Sequence, residues 1–381
     1  MKHIVLVTTS FPDEAFRNGQ EAAGAFVADF ASSLSQFAQI TVVAPSNLNH
    51  VEKKPNLSIH RFTVPRLPLS LLKPHIPSHW ISIAKSLYAG QQAVKKIIRE
   101  TSTDHVLAFW ALPSGYWSYR ACRELKIPFS VWALGSDIWS LGRIPVIRNV
   151  LRMVLRHSTH RFADGFMLAN DVKSISGLDC SFLPSSRRIL SEEKSRLSVH
   201  PPYRLAFLGR WHRNKGIDLL MKSLKFLRNE DWSNIEAIKI CGGGPLERIV
   251  MEEVSNLQIL GYPVTSKGYL NRKEATDLME WSDYILIPSR IESIPVIFSD
   301  AMQTYCPVIT MPVGDLPHLI RTYEVGFLAQ EVTAEAFTRA IQDALYATPN
   351  QFDLNIKKII GEFNIERTAK RLIEILFNDS I

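Results

Sequence analysis

Short, solidly apolar runs alternate along this chain with longer stretches of helical period. Residues 3–8, 40–44, 104–110 and 127–133 read as buried strands in the first half, and 203–208, 238–241 and 284–287 in the second. Amphipathic stretches at 25–37, 80–99 and 114–125 follow strands in the first half. A strand, loop, helix order that recurs in this way predicts α/β domains built on doubly wound parallel sheets. Residues 185–202 break the pattern: they are polar and charged and close on Pro201-Pro202, which marks a linker. The expected organisation is a first domain over 1–187, a linker over 188–202 and a second domain over 203–364. A last helix over 365–381 is expected to cross back onto the first domain. Residues 55–77, rich in Pro, Leu and basic residues, show no clear period. They form either a loop beside a bound substrate or a plain excursion between strands.

Composition narrows the class. A chain of 381 residues, 46% of them hydrophobic, has material for two cores. Its four cysteines, Cys122, Cys180, Cys241 and Cys306, have no metal-ligand spacing and suggest no disulfide framework. The first apolar run is too short for a signal peptide, and no run reaches the ~18 residues of a spanning helix. A reduced, cytoplasmic chain is expected, one that meets a membrane only peripherally, on its inner face. The net charge of +7 is uneven: residues 1–187 hold 21 Lys and Arg against 12 Asp and Glu, and residues 188–381 hold 23 against 25. A basic first half suggests a polyanionic or membrane-surface partner. Residues 143–161 hold five arginines and no acid, with Arg148, Arg152 and Arg156 on one helical ridge. This stretch is either a docking helix for anionic lipid or a packed helix with solvated arginines. No nucleic-acid partner is expected.

The densest chemistry lies at 283–311, D-Y-I-L-I-P-S-R-I-E-S-I-P-V-I-F-S-D-A-M-Q-T-Y-C-P-V-I-T-M. A buried strand ends at Pro288, and Pro295 signals a helix start. The amides of Ile294 and Val296 would then face an anion at the positive end of the helix dipole. Glu292 would stand at the strand's carboxyl end, where open α/β sheets bind ligands, with Asp300 one to two turns further on.

The pattern S-x-x-E-S-x-P, with an acid eight residues after the Glu and then A-M, resembles the donor-binding signature of retaining glycosyltransferases of family 4 (glycosyl transferases group 1). The resemblance implies the GT-B fold: two Rossmann-like domains facing a cleft, the second holding a nucleotide-diphosphate sugar. It implies that Glu292 contacts the donor sugar and Asp300 the ribose, although Asp300 is shorter than the family's Glu. The segment from Gly209 to Leu220, G-R-W-H-R-N-K-G-I-D-L-L, is similar to the family's second-domain opening, which puts Arg210 and Lys215 on the diphosphate. Two cations there would neutralise a leaving group whose charge grows as the glycosidic bond breaks.

Gly243 lies in a G-x-G-P-L match, and Tyr269 in a segment similar to the one that lines the nucleobase. Gly19 and Gly24 lie in the first glycine-containing loop, which in relatives runs under the phosphates and beside the acceptor. Where many relatives have H-G-x-D, residues 134–137 read Leu134, Gly135, Ser136 and Asp137. Asp137 is expected either to orient an acceptor hydroxyl or to cap the next helix. His318 stands where relatives often have an acid. The leaving phosphate can itself take the acceptor's proton, so no protein base is compulsory.

The reading is a retaining transferase that moves a sugar to a glycan or lipid-linked acceptor in cell-envelope polysaccharide assembly. No cofactor and no metal are expected, since the chain contains no D-x-D. The rivals are a nucleotide-sugar epimerase, a phosphorylase, and a catalytically degenerate partner of an active transferase.

Overall fold

The computed structural model describes residues 1–13, 24–189 and 200–377. Gly19 and most of the 188–202 linker lie outside the described residues. The chain forms two compact units, residues 1–187 with 365–381, and residues 188–364.

The first unit is an eight-stranded sheet of β1 (His3–Val7), β2 (Gln39–Ser46), β3 (His50–Lys54), β4 (Leu57–Thr63), β5 (His105–Phe109), β6 (Phe129–Ala133), β7 (Arg161–Ala163) and β8 (Ser181–Phe182). Their spatial order is β3-β4-β2-β1-β5-β6-β7-β8. Only the β3–β4 pair is antiparallel. Every residue of β1, β5 and β6 is buried, so these strands read as largely apolar runs, and the polar His105 and Ser130 within them pair with each other at 2.8 Å. Their alternate residues feed two cores. Ile4 and Leu6 pack with Val27 and Phe30 of helix Ala25–Leu34 and with Ile365, Ala369 and Leu372 of helix Ile365–Phe377. Val5 and Val7 pack on the other face with Val94 and Ile97 of helix Trp80–Glu100 and Trp117 of helix Ser114–Leu125.

Two sequence expectations are corrected here. The 55–77 stretch begins with a strand, β4, joined to β3 by a tight turn in which Asn56 has φ 54°. Its alternation is masked by Arg61, a charged residue whose side chain is fully buried yet paired. The guanidinium donates to Glu52 at 3.2 Å and to the Phe11 carbonyl at 3.1 Å. The basic 143–161 stretch is not one helix: the helix is Pro145–His157, and Arg161 opens β7. Nor are its arginines simply solvated. Arg152 and Arg156 donate to the carbonyls of Ile175 and Ser176, at the carboxyl end of helix Phe166–Ser176, at 3.2 and 2.8 Å. Cations are favoured there by the helix dipole. Arg148 turns to the Gly142 carbonyl at 3.4 Å. The ridge is a device of the fold.

The second unit is a parallel sheet of β9 (Tyr203–Arg210), β10 (Ile235–Gly243), β11 (Val264–Lys267), β12 (Tyr284–Ile287), β13 (Val308–Thr310) and β14 (Gly326–Leu328), in the order β11-β10-β9-β12-β13-β14. The chain winds outward from β9 to one side, then restarts at β12 and winds to the other. The loops after β9 and β12 therefore leave the sheet side by side, at the switch point where open α/β sheets bind ligands.

Candidate active site

Those two loops carry the cations and the carboxylate singled out in the sequence. Arg210 is the last residue of β9 and is exposed. Lys215 ends a 3₁₀ turn, Arg213–Lys215, just before helix Ile217–Lys225. Its Nζ donates to Glu292 Oε1 at 2.6 Å, and Ser289 Oγ donates to the same oxygen at 2.8 Å. The Glu292 side chain is 11% exposed and that of Lys215 39%, so the pair is partly shielded but reachable. His212 lies near both cations: burial, then Arg210, then Lys215 lower its pKa below the usual imidazole value. Arg210, His212 and Lys215 thus form an electropositive cluster suited to an anion.

Backbone contact fixes this arrangement. Gly216 has φ 69°, and a Cβ there would stand 1.7 Å from the Pro288 carbonyl oxygen. Only glycine lets the Lys215 turn lie directly on the end of β12. From the other side, a Cβ on Gly314 would stand 2.3 Å from the Glu292 and Ser293 carbonyl oxygens, and the Asp315 amide donates to the Ser293 carbonyl at 3.2 Å.

A further brace escaped the sequence reading. Arg290 Nη1 and Nη2 donate to the two carboxylate oxygens of Asp218 at 2.7 and 2.8 Å, and Nη1 also reaches the Arg213 carbonyl at 2.6 Å. The Arg290 amide donates to the Asn214 carbonyl at 2.8 Å. This bidentate pair ties the Glu292 loop to the first turn of the helix behind Lys215. Each partner looked like an ordinary surface charge in the sequence, because the contact spans 72 residues.

We expect Arg290→Lys and Asp218→Asn each to lower kcat about tenfold, with little change in overall stability. The double variant should lose no more than the worse single, since residues in one network are not additive. Equal losses that multiply in the double variant would mean that the pair does not act as one brace.

Ile294 and Val296 flank Pro295, which is the N-cap of helix Val296–Gln303 rather than its first residue; Ile294 is buried. Tyr269 lays its ring on Gly243, donates its hydroxyl to the Gly243 carbonyl at 2.9 Å and stays 48% exposed. Asp300 has no exposed surface. It lies in the second turn of helix Val296–Gln303. His318 is exposed on helix Leu316–Tyr323. A cavity of about 600 Å³ lined by Lys239, Lys267, Glu274 and Trp281 lies along β10 and β11, away from the Lys215–Glu292 pair.

In the first unit, Gly24 has φ 106° and packs against the Ser10 carbonyl. Asp137 is 1% exposed, and its two oxygens accept the Ala111 amide at 2.5 Å and the Leu134 amide at 3.3 Å. It clamps the loops after β5 and β6 together. As the cap reading expects, Asp137 also accepts amides in the first turn of helix Ser136–Trp139. Leu134 is partly buried with Phe11, Phe26 and Trp110, an apolar rim at the carboxyl ends of β1, β5 and β6. Trp110 holds φ 66°, a costly conformation for a tryptophan, and no signal in the sequence announced it.

Burial pushes the Asp137 carboxyl up to about 6, against the pull of the amides it accepts. A carboxyl raised in the folded state binds its proton more tightly there than in the unfolded chain. Its contribution is therefore full below the ordinary carboxylate range and is lost as pH rises through about 6. Between pH 4 and pH 7 the wild type should lose stability on the order of 3 kcal/mol more than Asp137→Asn does. Parallel pH profiles of urea stability for the two proteins would contradict this.

The fold is that of GT-B proteins. Sucrose-phosphate synthase from Thermosynechococcus elongatus superimposes with a TM-score of 0.73, at 18% identity over 100% of both chains. Anabaena HepE in complex with UDP-glucose superimposes with a TM-score of 0.69, at 13% identity over 99% of this chain and 100% of that one. Residues 202–346 match the family model for glycosyl transferases group 1, and residues 20–163 match the glycosyl transferase 4-like model. Each half of the chain thus carries a glycosyltransferase domain, and the protein is of the glycosyltransferase class. Among curated relatives, the putative teichuronic acid biosynthesis glycosyltransferase TuaC of Bacillus subtilis (strain 168) is 24% identical over 294 residues, 72% of this chain and 70% of its own length.

Proposed function

We propose that the protein transfers a sugar from a nucleotide-diphosphate sugar to a hydroxyl of a glycan or lipid-linked acceptor, with retention at the anomeric carbon. The observation that carries this reading is the Lys215–Glu292 pair at 2.6 Å, set on the switch-point loops of the second unit beside Arg210. In the proposal Arg210 and Lys215 take the diphosphate, with the amides around Ile294 and Val296. Glu292 receives donor-sugar hydroxyls on Oε2, the oxygen that Lys215 and Ser289 leave open, and Tyr269 borders the base.

As the glycosidic bond lengthens, charge accumulates on the β-phosphate, where the two cations stabilise it more than they stabilise the intact donor. The same phosphate oxygen then accepts the proton of the incoming hydroxyl. These protein cations can supply the charge that a metal ion would otherwise bring. The name of the relative TuaC, a putative teichuronic acid biosynthesis glycosyltransferase, supports a cell-envelope polysaccharide as product.

The test is incubation with a panel of UDP- and GDP-sugars, with and without lipid-linked and free glycan acceptors. Acceptor-dependent release of nucleotide diphosphate, with an α-linked product by proton NMR, is expected from an α-linked donor. A β-linked product would overturn retention. Conversion of the nucleotide sugar without acceptor would favour an epimerase.

A further inference from the structure

From Lys53 to Arg99 the chain contains nine Lys and Arg and no Asp or Glu. The middle of this stretch is also where the first unit shows apolar side chains to solvent. Helix Trp80–Glu100 buries Ser86, Gly90, Val94, Ile97 and Ile98 on one face. On the opposite face Ile81, Ala84, Lys85 and Tyr88 are exposed at i, i+3, i+4 and i+7, and they form one stripe. Ile81 is 70% exposed, Tyr88 67%, and Trp80 at the helix start 60%. Such side chains are normally found singly on a surface, whereas here three stand within two turns of one helix.

The preceding loop is fastened to the same place. Trp80 Nε1 donates to the Pro74 carbonyl at 2.7 Å, the Lys73 amide donates to His79 Nδ1 at 3.0 Å, and Arg66 Nη1 lies 3.4 Å from His79 Nε2. The indole N–H is thereby satisfied inside the protein while the ring stays in solvent. Lys73, Lys85 and Arg66 surround the apolar stripe with positive charge.

We infer that the Arg66–Tyr88 face of the first unit is a docking surface for an anionic lipid bilayer. Trp80, Ile81 and Tyr88 enter the headgroup boundary, and Lys73 and Lys85 pair with lipid phosphates. An apolar stripe that carries Tyr, is edged by cations and has an exposed Trp beside it at the helix start is the chemistry of an interfacial helix. The absence of acids over 47 residues suits a negatively charged surface better than a mixed-charge protein partner. The inference deepens the proposed function, since it puts a lipid-linked acceptor within reach, and it rests on that reading only for the acceptor. Docking itself is measured without transfer.

The test is sedimentation of the whole protein with vesicles of phosphatidylcholine alone and with about 30% phosphatidylglycerol, a fraction that gives a usable negative surface potential. The wild type should sediment with the anionic vesicles, and about tenfold less after the salt is raised from 0.1 to about 0.5 M. The variant Trp80→Ser, Ile81→Ser, Tyr88→Ser should bind at least about tenfold more weakly, and so should Lys73→Glu with Lys85→Glu. All five positions are solvent-facing, so both variants should keep the wild-type circular dichroism and the same affinity for nucleotide sugar. Equal binding by wild type and variants, or equal binding to both vesicle types, would overturn the inference. So would a wild-type dimer in sedimentation velocity that the triple variant lacks, because the face would then belong to a second copy of the chain. Loss of docking with intact transfer to a soluble acceptor separates failure of this inference from failure of the proposed function.

Discussion

Replacing Glu292 with Gln, or Lys215 with Ala, is expected to lower turnover by about a hundredfold or more, on the order of 3 kcal/mol of transition-state stabilisation. The two side chains meet at 2.6 Å, and Glu292 is mostly shielded from water, so charge at this point is poorly screened. Gln keeps the shape and one acceptor oxygen but loses the charge that holds Lys215 in place. Ala at 215 removes the cation that would face the growing phosphate charge, so kcat should fall more than substrate affinity. Both changes lie in loops outside the two cores, and the thermal midpoint should move little. Steady-state kinetics at saturating donor would check this. Near-normal kcat in either soluble variant would remove the pair from the mechanism.

Gly216→Ala is the second large effect. The residue is held at φ 69°, and the new methyl would stand 1.7 Å from the Pro288 carbonyl oxygen, so the end of β12 or the Lys215 turn must shift. Left-handed backbone alone costs an alanine about 1 kcal/mol, and a steric conflict with backbone adds to it. Gly261 provides the control. It has φ 84° with nothing within 4 Å of its would-be Cβ, so Gly261→Ala meets the backbone cost without the collision. Denaturant midpoints should place Gly216→Ala well below Gly261→Ala, on the order of 2 kcal/mol, with nucleotide-sugar binding weakened only in the former. Equal midpoints and equal binding would mean that the turn has room to relax.

What could be read from the sequence followed the range of the interactions. The buried parallel strands were legible because burial on both faces turns β1, β5, β6 and β12 into largely apolar runs. The switch-point residues were legible because Arg210, Lys215 and Glu292 each sit a few residues after such a run, in motifs that resemble a family signature. Strand β4 was hidden by Arg61, whose charge breaks the apolar alternation and is neutralised by Glu52 on the neighbouring strand. The Arg152 and Arg156 side chains looked free because the carbonyls they meet belong to a helix 20 or more residues away. Only part of the role of Asp137 was legible, for a related reason. An acid after a glycine resembles a ligand or a cap, and only the fold brings the Ala111 amide to it. Asp300 kept the family's spacing, but spacing does not say which face of a short helix is packed.

The central claim is that the β9 and β12 loops hold a nucleotide-diphosphate sugar. Calorimetric titration of a panel of such sugars into the wild type, Arg210→Ala, Lys215→Ala and, as a control in the first unit, Lys126→Ala tests it most directly. The account predicts one-site binding of at least one nucleotide sugar, weakened about tenfold or more by each of the first two changes and unaltered by the third. Binding of equal strength in all four proteins, or binding of none of the panel, would contradict it.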